Sequence, residues 1–458
     1  MKVNGCARCG QLVFFENSAC LRCGAPLGFD PDQGRVITLV TGRVRPSSTA
    51  RPRSAPVYLE LPPVAVVAAA IGQAPLGDGG RGGVQSVHQV ASPTLVRRVT
   101  ATDLLDRAIG ADPIAEDLLD AVPLDRRRWF YRCAASERAG CNWLVPAPAT
   151  AADAARADAE VSTGEGTLCR CCRLTRTRPA DSDPTGRDRF VRAEAAKRRL
   201  VAQLLELGLP VVAQVDDPAG GLAFDLLNSS EHAVVTGHSE GLITLDLAES
   251  DDAHRERVRV QLGEPYRTLL GHFRHEIGHY YWEMLVGADP ARTARFRDLF
   301  GDPDLDYAAA LDRHYAQGPP SDWRNTFVSA YATMHPWEDW AETFAHYLHI
   351  RDTLRTSAEF GLHVAGPDLA AFGVPANTLA AEPADLRNAD DAAGRSPIRA
   401  IIDQWLPLTY ALNAISRSMG RDDLYPFVLT PAVRAKLGFA HEMITVGARP
   451  GTASAASG

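Results

Sequence analysis

Apolar positions along the second half of the chain repeat at spacings that separate helix from strand. Over residues 194–207 they recur every three or four positions, and Gly208 and Pro210 stop the run. Strand-like stretches follow at 211–215, 222–226 and 233–235, and 241–247 alternates apolar with polar, so a small sheet is predicted. Next, Tyr266, Leu269, Leu270, Phe273, Ile277, Tyr280, Met284 and Leu285 return at helical spacing. With Glu264-Pro265 at the entry and Gly287 and Pro290 past the exit, they predict an amphipathic helix of roughly 22 residues. Another helix is predicted from Pro336, with Glu338 and Asp339 in its electropositive first turn, and 398–420 and 430–442 read as two more. Helix, small sheet, then helices is an α+β arrangement.

The first half is patchier. Residues 31–56 are rich in Arg, Pro and Ser and 72–92 in Gly and Gln, both reading as linker, with a strand at 57–61 and a helix at 102–121. The most hydrophobic stretch there, 64–71, is too short to span a bilayer, and Met1 is followed by no apolar leader. A soluble, cytoplasmic protein with no membrane partner is expected.

The predicted helix of roughly 22 residues carries His275-Glu276-Ile277-Gly278-His279. On a helix, positions i and i+4 share a face, so both imidazoles can give a ring nitrogen to one Zn²⁺ while Glu276 serves as general base toward water. This HExxH constellation is the minimal chemistry of a zinc peptidase. A catalytic zinc also needs a third protein ligand and an open position. The extended HExxHxxGxxH pattern is excluded, because Trp282 and Leu285 stand where it needs Gly and His. The ligand therefore comes from farther along, and the segment from Tyr331 to His349 is the obvious source. There Glu338 and Glu342 lie one turn apart on one face, so one can bind metal while the other orients a ligating histidine. His335, His346 and His349 are expected as helix-face or supporting residues, and His272 as a residue lining the cleft.

Cysteines add a second chemistry. Of the 9 in the chain, Cys6, Cys9, Cys20 and Cys23 form two CxxC knuckles, the spacing at which four thiolates hold one structural Zn²⁺. So short a segment cannot bury a self-sufficient core, and metal would supply its folding energy. Cys133, Cys141, Cys169 and Cys172 are expected to form a second such site, with Cys171 a spare thiol beside it. Metal sites are favoured over disulfides, because paired knuckles without an export signal belong to a reducing compartment. The expected cofactors are one catalytic and two structural zinc ions.

The motif His275-Glu276-x-Gly278-His279 with Tyr331-x6-Glu338-x3-Glu342 resembles the catalytic constellation of lethal-factor-type gluzincins. The resemblance implies Glu338 as third zinc ligand, Tyr331 as donor to the oxyanion and Glu342 as the carboxylate behind the ligands. The runs from His272 to Trp282 and His335 to His346, with the cysteines and Arg173-Leu-Thr-Arg-Thr-Arg178, resemble a family of bacterial zinc-binding metallopeptidases carrying an N-terminal zinc ribbon. This likeness covers residues 1–30 and 126–365 and implies a zincin-like domain. The expected organisation is a zinc ribbon at 1–30, a linker at 31–125 and a second four-cysteine zinc module at 126–180. A catalytic domain at 186–365, a helical C-terminal extension at 366–445 and a tail at 446–458 complete it.

Charge bears on partners. Residues 1–200 carry 28 Lys and Arg against 21 Asp and Glu, and the remainder 20 against 35, within a net charge of −8. Clusters at 126–128 and 197–199 could meet phosphate, but no aromatic platform interleaves them. A protein or peptide substrate is thus favoured over nucleic acid, and zinc-dependent peptide hydrolysis is the expected function. Two rivals are a zinc-ribbon scaffold whose body only binds, and a protease dependent on nucleic acid. The intact Glu276 weighs against the scaffold.

Overall fold

Each N-terminal cysteine pair sits on a turn closed by a glycine. The Gly10 N–H donates to the Cys6 carbonyl at 2.8 Å and the Gly24 N–H to the Cys20 carbonyl at 2.9 Å. Both glycines take positive φ, 71° and 70°, where a side chain would be strained. The computed structural model describes residues 2–42, 57–60, 128–147, 167–229, 234–262, 264, 267–362, 364 and 397–448. The expected helix at 102–121 and the Gly-rich stretch at 72–92 lie outside them.

The N-terminal unit runs to Cys172. Strands β1 (Asn4–Gly5) and β2 (Leu12–Val13) pair across the first knuckle. Strands β3 (Leu27–Asp30), β4 (Arg35–Gly42), β5 (Val57–Glu60), β6 (Trp129–Arg132) and β7 (Leu144–Pro146) form one antiparallel sheet in chain order. The linker expected from residue 31 thus gives way to β4, whose Ile37 and Leu39 are buried with Phe130 and Leu144. The Arg, Pro and Ser content that follows hides that strand in a composition window. Phe29 packs its ring 4.8 Å from both Phe15 and Trp143, and Asn142 donates to the Phe15 carbonyl at 2.6 Å. The two cysteine modules therefore share one core.

The unit from Arg173 onward begins with β8 (Thr175–Thr177) and helix α1 (Pro184–Leu207), capped by Asp183 and stopped by Gly208 at φ 76°. Strands β9 (Ala223–Leu227), β10 (Gly237–Ser239) and β11 (Leu242–Asp246) join β8 in the order β10-β11-β9-β8. The strand expected at 211–215 is reduced to an isolated bridge joining Ala213 to Leu222, and the strand expected at 233–235 begins outside the described residues, of which 234 and 235 lie in no strand. Residues 213–217 instead turn, with the Asp216 and Asp217 amides on the Ala213 carbonyl. β11 is internal to this sheet, and β10 holds the edge.

Helices α2 (Asp252–Leu262) and α3 (Leu269–Trp282) follow. α3 begins later than the pattern suggests. Thr268 caps it, accepting from the Gly271 N–H at 3.0 Å, while Glu264 pairs with Arg267 at 3.2 Å. One π-helical turn, Glu283–Gly287, continues it. Then come α4 (Pro290–Phe300), α5 (Tyr307–Gln317), α6 (Pro336–Glu359), α7 (Pro397–Ser418) and α8 (Pro431–Gly447). α6 crosses α3 at Gly278, and Trp340 donates its indole N–H to the Gly278 carbonyl at 2.8 Å. The helices expected as an extension enter this same core. Lys436 of α8 meets the buried Asp339 at 2.6 Å, and the Phe439 ring lies 5.9 Å from both Phe300 and Trp340. No described helix is long and apolar enough to cross a membrane.

Candidate metal centre

α3 turns His275 and His279 to one side, and the first turn of α6 delivers Glu338 opposite them. Ligand atoms of all three, each residue buried, lie within 4.8 Å of one another. His275 Nε2 is 3.2 Å from His279 Nε2 and 2.9 Å from Glu338 Oε2. Behind it, His275 Nδ1 faces Glu342 Oε1 at 2.8 Å, and Glu342 Oε2 accepts from Ser329 Oγ at 2.6 Å. With its Nδ1 proton donated to Glu342, His275 offers a lone pair at Nε2. Two imidazole nitrogens and a carboxylate converging on one point repel unless a cation lies between them. A nitrogen, nitrogen, oxygen donor set fits Zn²⁺.

The electrostatics agree. Burial opposes ionisation of Glu338, yet His279 and His275 hold its carboxyl well below the usual range. Burial is also overcome at Glu342, where the bond from His275 brings the pKa down to about 2. Burial disfavours charge on His275, but Glu338 and Glu342 outweigh it and raise that pKa well above the ordinary value. Both carboxylates therefore stay charged and draw positive charge to His275 Nε2, a place that a metal cation takes by displacing the proton.

Glu276 is placed differently. One of its oxygens lies 3.2 Å from His272 Nε2, while the buried Oε2 has no hydrogen-bond partner among the described residues. Burial pushes its carboxyl up, but His272 and His275 prevail and lower it. The Tyr331 ring sits 5.9 Å from that of His275, and burial, then Glu338, push its hydroxyl pKa up, so it remains a donor at neutral pH.

His272 thus contacts Glu276 rather than only lining a cleft. His335 caps α6, its Nδ1 accepting from the Trp337 N–H at 3.1 Å. His346 meets the Tyr425 hydroxyl at 2.8 Å. Spacing gave no sign of three neighbours. Tyr307, first residue of α5, donates its hydroxyl to Glu338 Oε1 at 2.9 Å. Ser329 holds Glu342, and His238 on β10 stacks 6.4 Å from His279.

Both cysteine quartets converge. Cys6, Cys9, Cys20 and Cys23 form one cluster and Cys133, Cys141, Cys169 and Cys172 the other, each within 4.8 Å. No disulfide forms. Backbone N–H groups of Ala135 and Cys169 point at Cys133 Sγ at 3.4 and 3.3 Å, an arrangement that favours thiolate. Cys171 is buried outside the quartet. In the basic clusters, Arg128 pairs with Asp30, Lys197 lies 2.6 Å from Glu194, and Arg198 lies 3.8 Å from it. These cations serve the fold's own ion pairs.

Over residues 186–443 the chain matches the family described as "Putative zinc-binding metallo-peptidase", and over residues 3–54 a zinc-ribbon domain, which takes in β4. The first match spans more than half of the chain, and the chain belongs to that family. It is similar to uncharacterized protein Rv2568c of Mycobacterium tuberculosis (strain ATCC 25618 / H37Rv) and uncharacterized protein Mb2598c of Mycobacterium bovis (strain ATCC BAA-935 / AF2122/97). Each is 52% identical over 439 residues, covering 96% of this chain and 94% of the relative. No solved structure matches the chain.

Proposed function

We propose that this chain hydrolyses peptide bonds at a zincin-like, gluzincin-type centre in which His275, His279 and Glu338 hold zinc. Glu276 carries the reading. It is a buried carboxylate beside a ligand histidine, fixed at one oxygen by His272 and unpartnered at the other. That free oxygen, next to a ligand histidine, is available to take a proton from a water at the metal.

Zinc bound there supplies Lewis acidity, acidifying water and polarising a carbonyl. Glu276 Oε2 takes the proton of the attacking water and returns it to the leaving amine. Tyr331, kept protonated by its burial, donates to the oxygen on which charge develops. Tyr307 and Glu342 keep Glu338 and His275 aimed. The edge strand β10 packs beside α3, so an extended peptide can add along it.

The test is Glu276→Gln on a peptide library from cell extract. Zinc content and melting should stay as in wild type while turnover falls by about 100-fold or more. Undiminished turnover would remove Glu276 from the mechanism. A wild-type protein that cleaves no protein or peptide pool would replace hydrolysis with a binding role.

A further inference from the structure

We propose that His272 is a positioning residue for the general base: set between the carboxylates of Glu276 and Glu249, it decides which oxygen of Glu276 meets water. The inference rests on the hydrolytic reading of the metal centre. His272 precedes Glu276 by four residues on α3, so the two side chains share a face. Its Nε2 lies 3.2 Å from Glu276 Oε1. On the other side of the ring Nδ1 faces Glu249 Oε2 at 4.0 Å, and both of these buried atoms lack a hydrogen-bond partner among the described residues.

Carboxylates only accept hydrogen bonds, so the ring meets an acceptor at each nitrogen. Turned over, it would set carbon against both, and one ring orientation is thereby selected. Glu249 is itself firmly held. It lies in the turn Leu247–Ser250 that follows β11, and every residue of that turn is buried. Arg267 donates to Glu249 Oε1 at 2.6 Å and Arg255 to the Glu249 carbonyl at 2.6 Å, while Arg267 also pairs with Glu264. Burial disfavours charge on Glu249, but the bond from Arg267 prevails and keeps its carboxyl below the usual range. The base is thus braced, through His272, by a turn outside its own helix.

A carboxylate free to rotate about its last torsion presents either oxygen. With His272 at Oε1, the oxygen left to take the proton is Oε2, which is buried without a partner among the described residues. Holding a catalytic group in its productive geometry contributes about 10–100-fold in rate, since a misplacement of about 1 Å can cost that much. None of His272, Glu249 and Arg267 belongs to the cluster of ligand atoms at the centre. The brace therefore acts on kcat and leaves the hold on zinc alone.

The contact is tested apart from turnover, by the ring N–H resonances of zinc-loaded, full-length protein carrying isotope-labelled histidine. One low-field N–H should vanish in His272→Gln and should move in Glu276→Gln, whose side chain carries no charge. The absence of such a resonance, or its indifference to Glu276→Gln, would overturn the contact whether or not any peptide is cleaved. Positioning is tested on a peptide that the wild type cleaves. His272→Phe should lower kcat by about 10–100-fold, with KM within about twofold and zinc content unchanged. His272→Gln returns an N–H to the Nε2 position and should recover most of that loss, and Glu249→Gln should cost about 3–10-fold. Wild-type kcat in His272→Phe, or an equal loss in the Phe and Gln variants, would overturn the assignment. A parallel loss of zinc and kcat would also overturn it, making His272 a support of the fold.

Discussion

Removing the Glu342 carboxylate would leave the His275 Nδ1 proton without its acceptor and the imidazole free to turn. Glu342→Ala should therefore loosen zinc by about 10–100-fold, measured against a competing chelator, and Tyr307→Phe should act in the same direction through Glu338. Glu338→Ala should strip the centre. A zinc-free Glu342→Ala protein beside a near-normal Glu338→Ala protein would exchange the two roles. One contribution to acid sensitivity comes from a residue remote from the metal, His441, whose Nδ1 lies 2.7 Å from the Tyr347 hydroxyl. Burial, with nearby Arg351 adding, lowers its pKa from 6.5 to about 4. The unfolded chain takes up this proton near pH 6.5 and the folded chain only near pH 4. Stability is thus lost as pH falls through that window, by up to about 3 kcal/mol for this group. His441→Gln should show a smaller drop in urea midpoint between about pH 7 and pH 5 than wild type, and an equal drop would refute the assignment. Local spacing makes His275, Glu276 and His279 legible in the sequence. Tyr307 and Ser329 are not legible, because tertiary contact alone brings them to Glu338 and Glu342.

At the scale of elements, the site depends on how closely α6 approaches α3. A Cβ at Gly278 would meet Ala341 Cα at 3.0 Å and the Ala341 carbonyl oxygen at 3.3 Å. Gly278→Val should push the helices apart, cost about 1–3 kcal/mol in thermal unfolding and weaken zinc binding, because Glu338 rides on α6 while both histidines ride on α3. A variant with normal melting and normal zinc affinity would show that this contact positions nothing. Apolar periodicity exposes α1 and α3 to inspection of the sequence, Pro336 with the acidic first turn exposes α6, and α7 and α8 are legible as well. The start of α3 is misplaced, since Glu264-Pro265 imitates a helix entry that Thr268 provides. α5 escapes altogether: only Ala310 is buried along it, and no large apolar residue faces the core to mark it. β10, three residues long, is too brief for alternation to register.

For the whole molecule, three clusters of ligand atoms predict three zinc ions per chain. Elemental analysis of the reduced, intact protein should find them, and Cys20→Ser should leave two. A single zinc in the intact protein would overturn both cysteine sites. The quartets are legible from spacing, but the sheet that unites them is not, because it pairs strands far apart in sequence. That separation has a consequence for biosynthesis. β5 ends at Glu60 and β6 begins at Trp129, so their pairing closes a loop of 68 residues (61–128). Closing it costs about 2.5 kcal/mol more entropy than a four-residue hairpin loop. A nascent chain must therefore carry β5 as an open edge until β6 leaves the ribosome, and it gains the last thiolate of the second quartet only at Cys172. Capture of that open edge by a neighbouring chain is the hazard this order of synthesis creates.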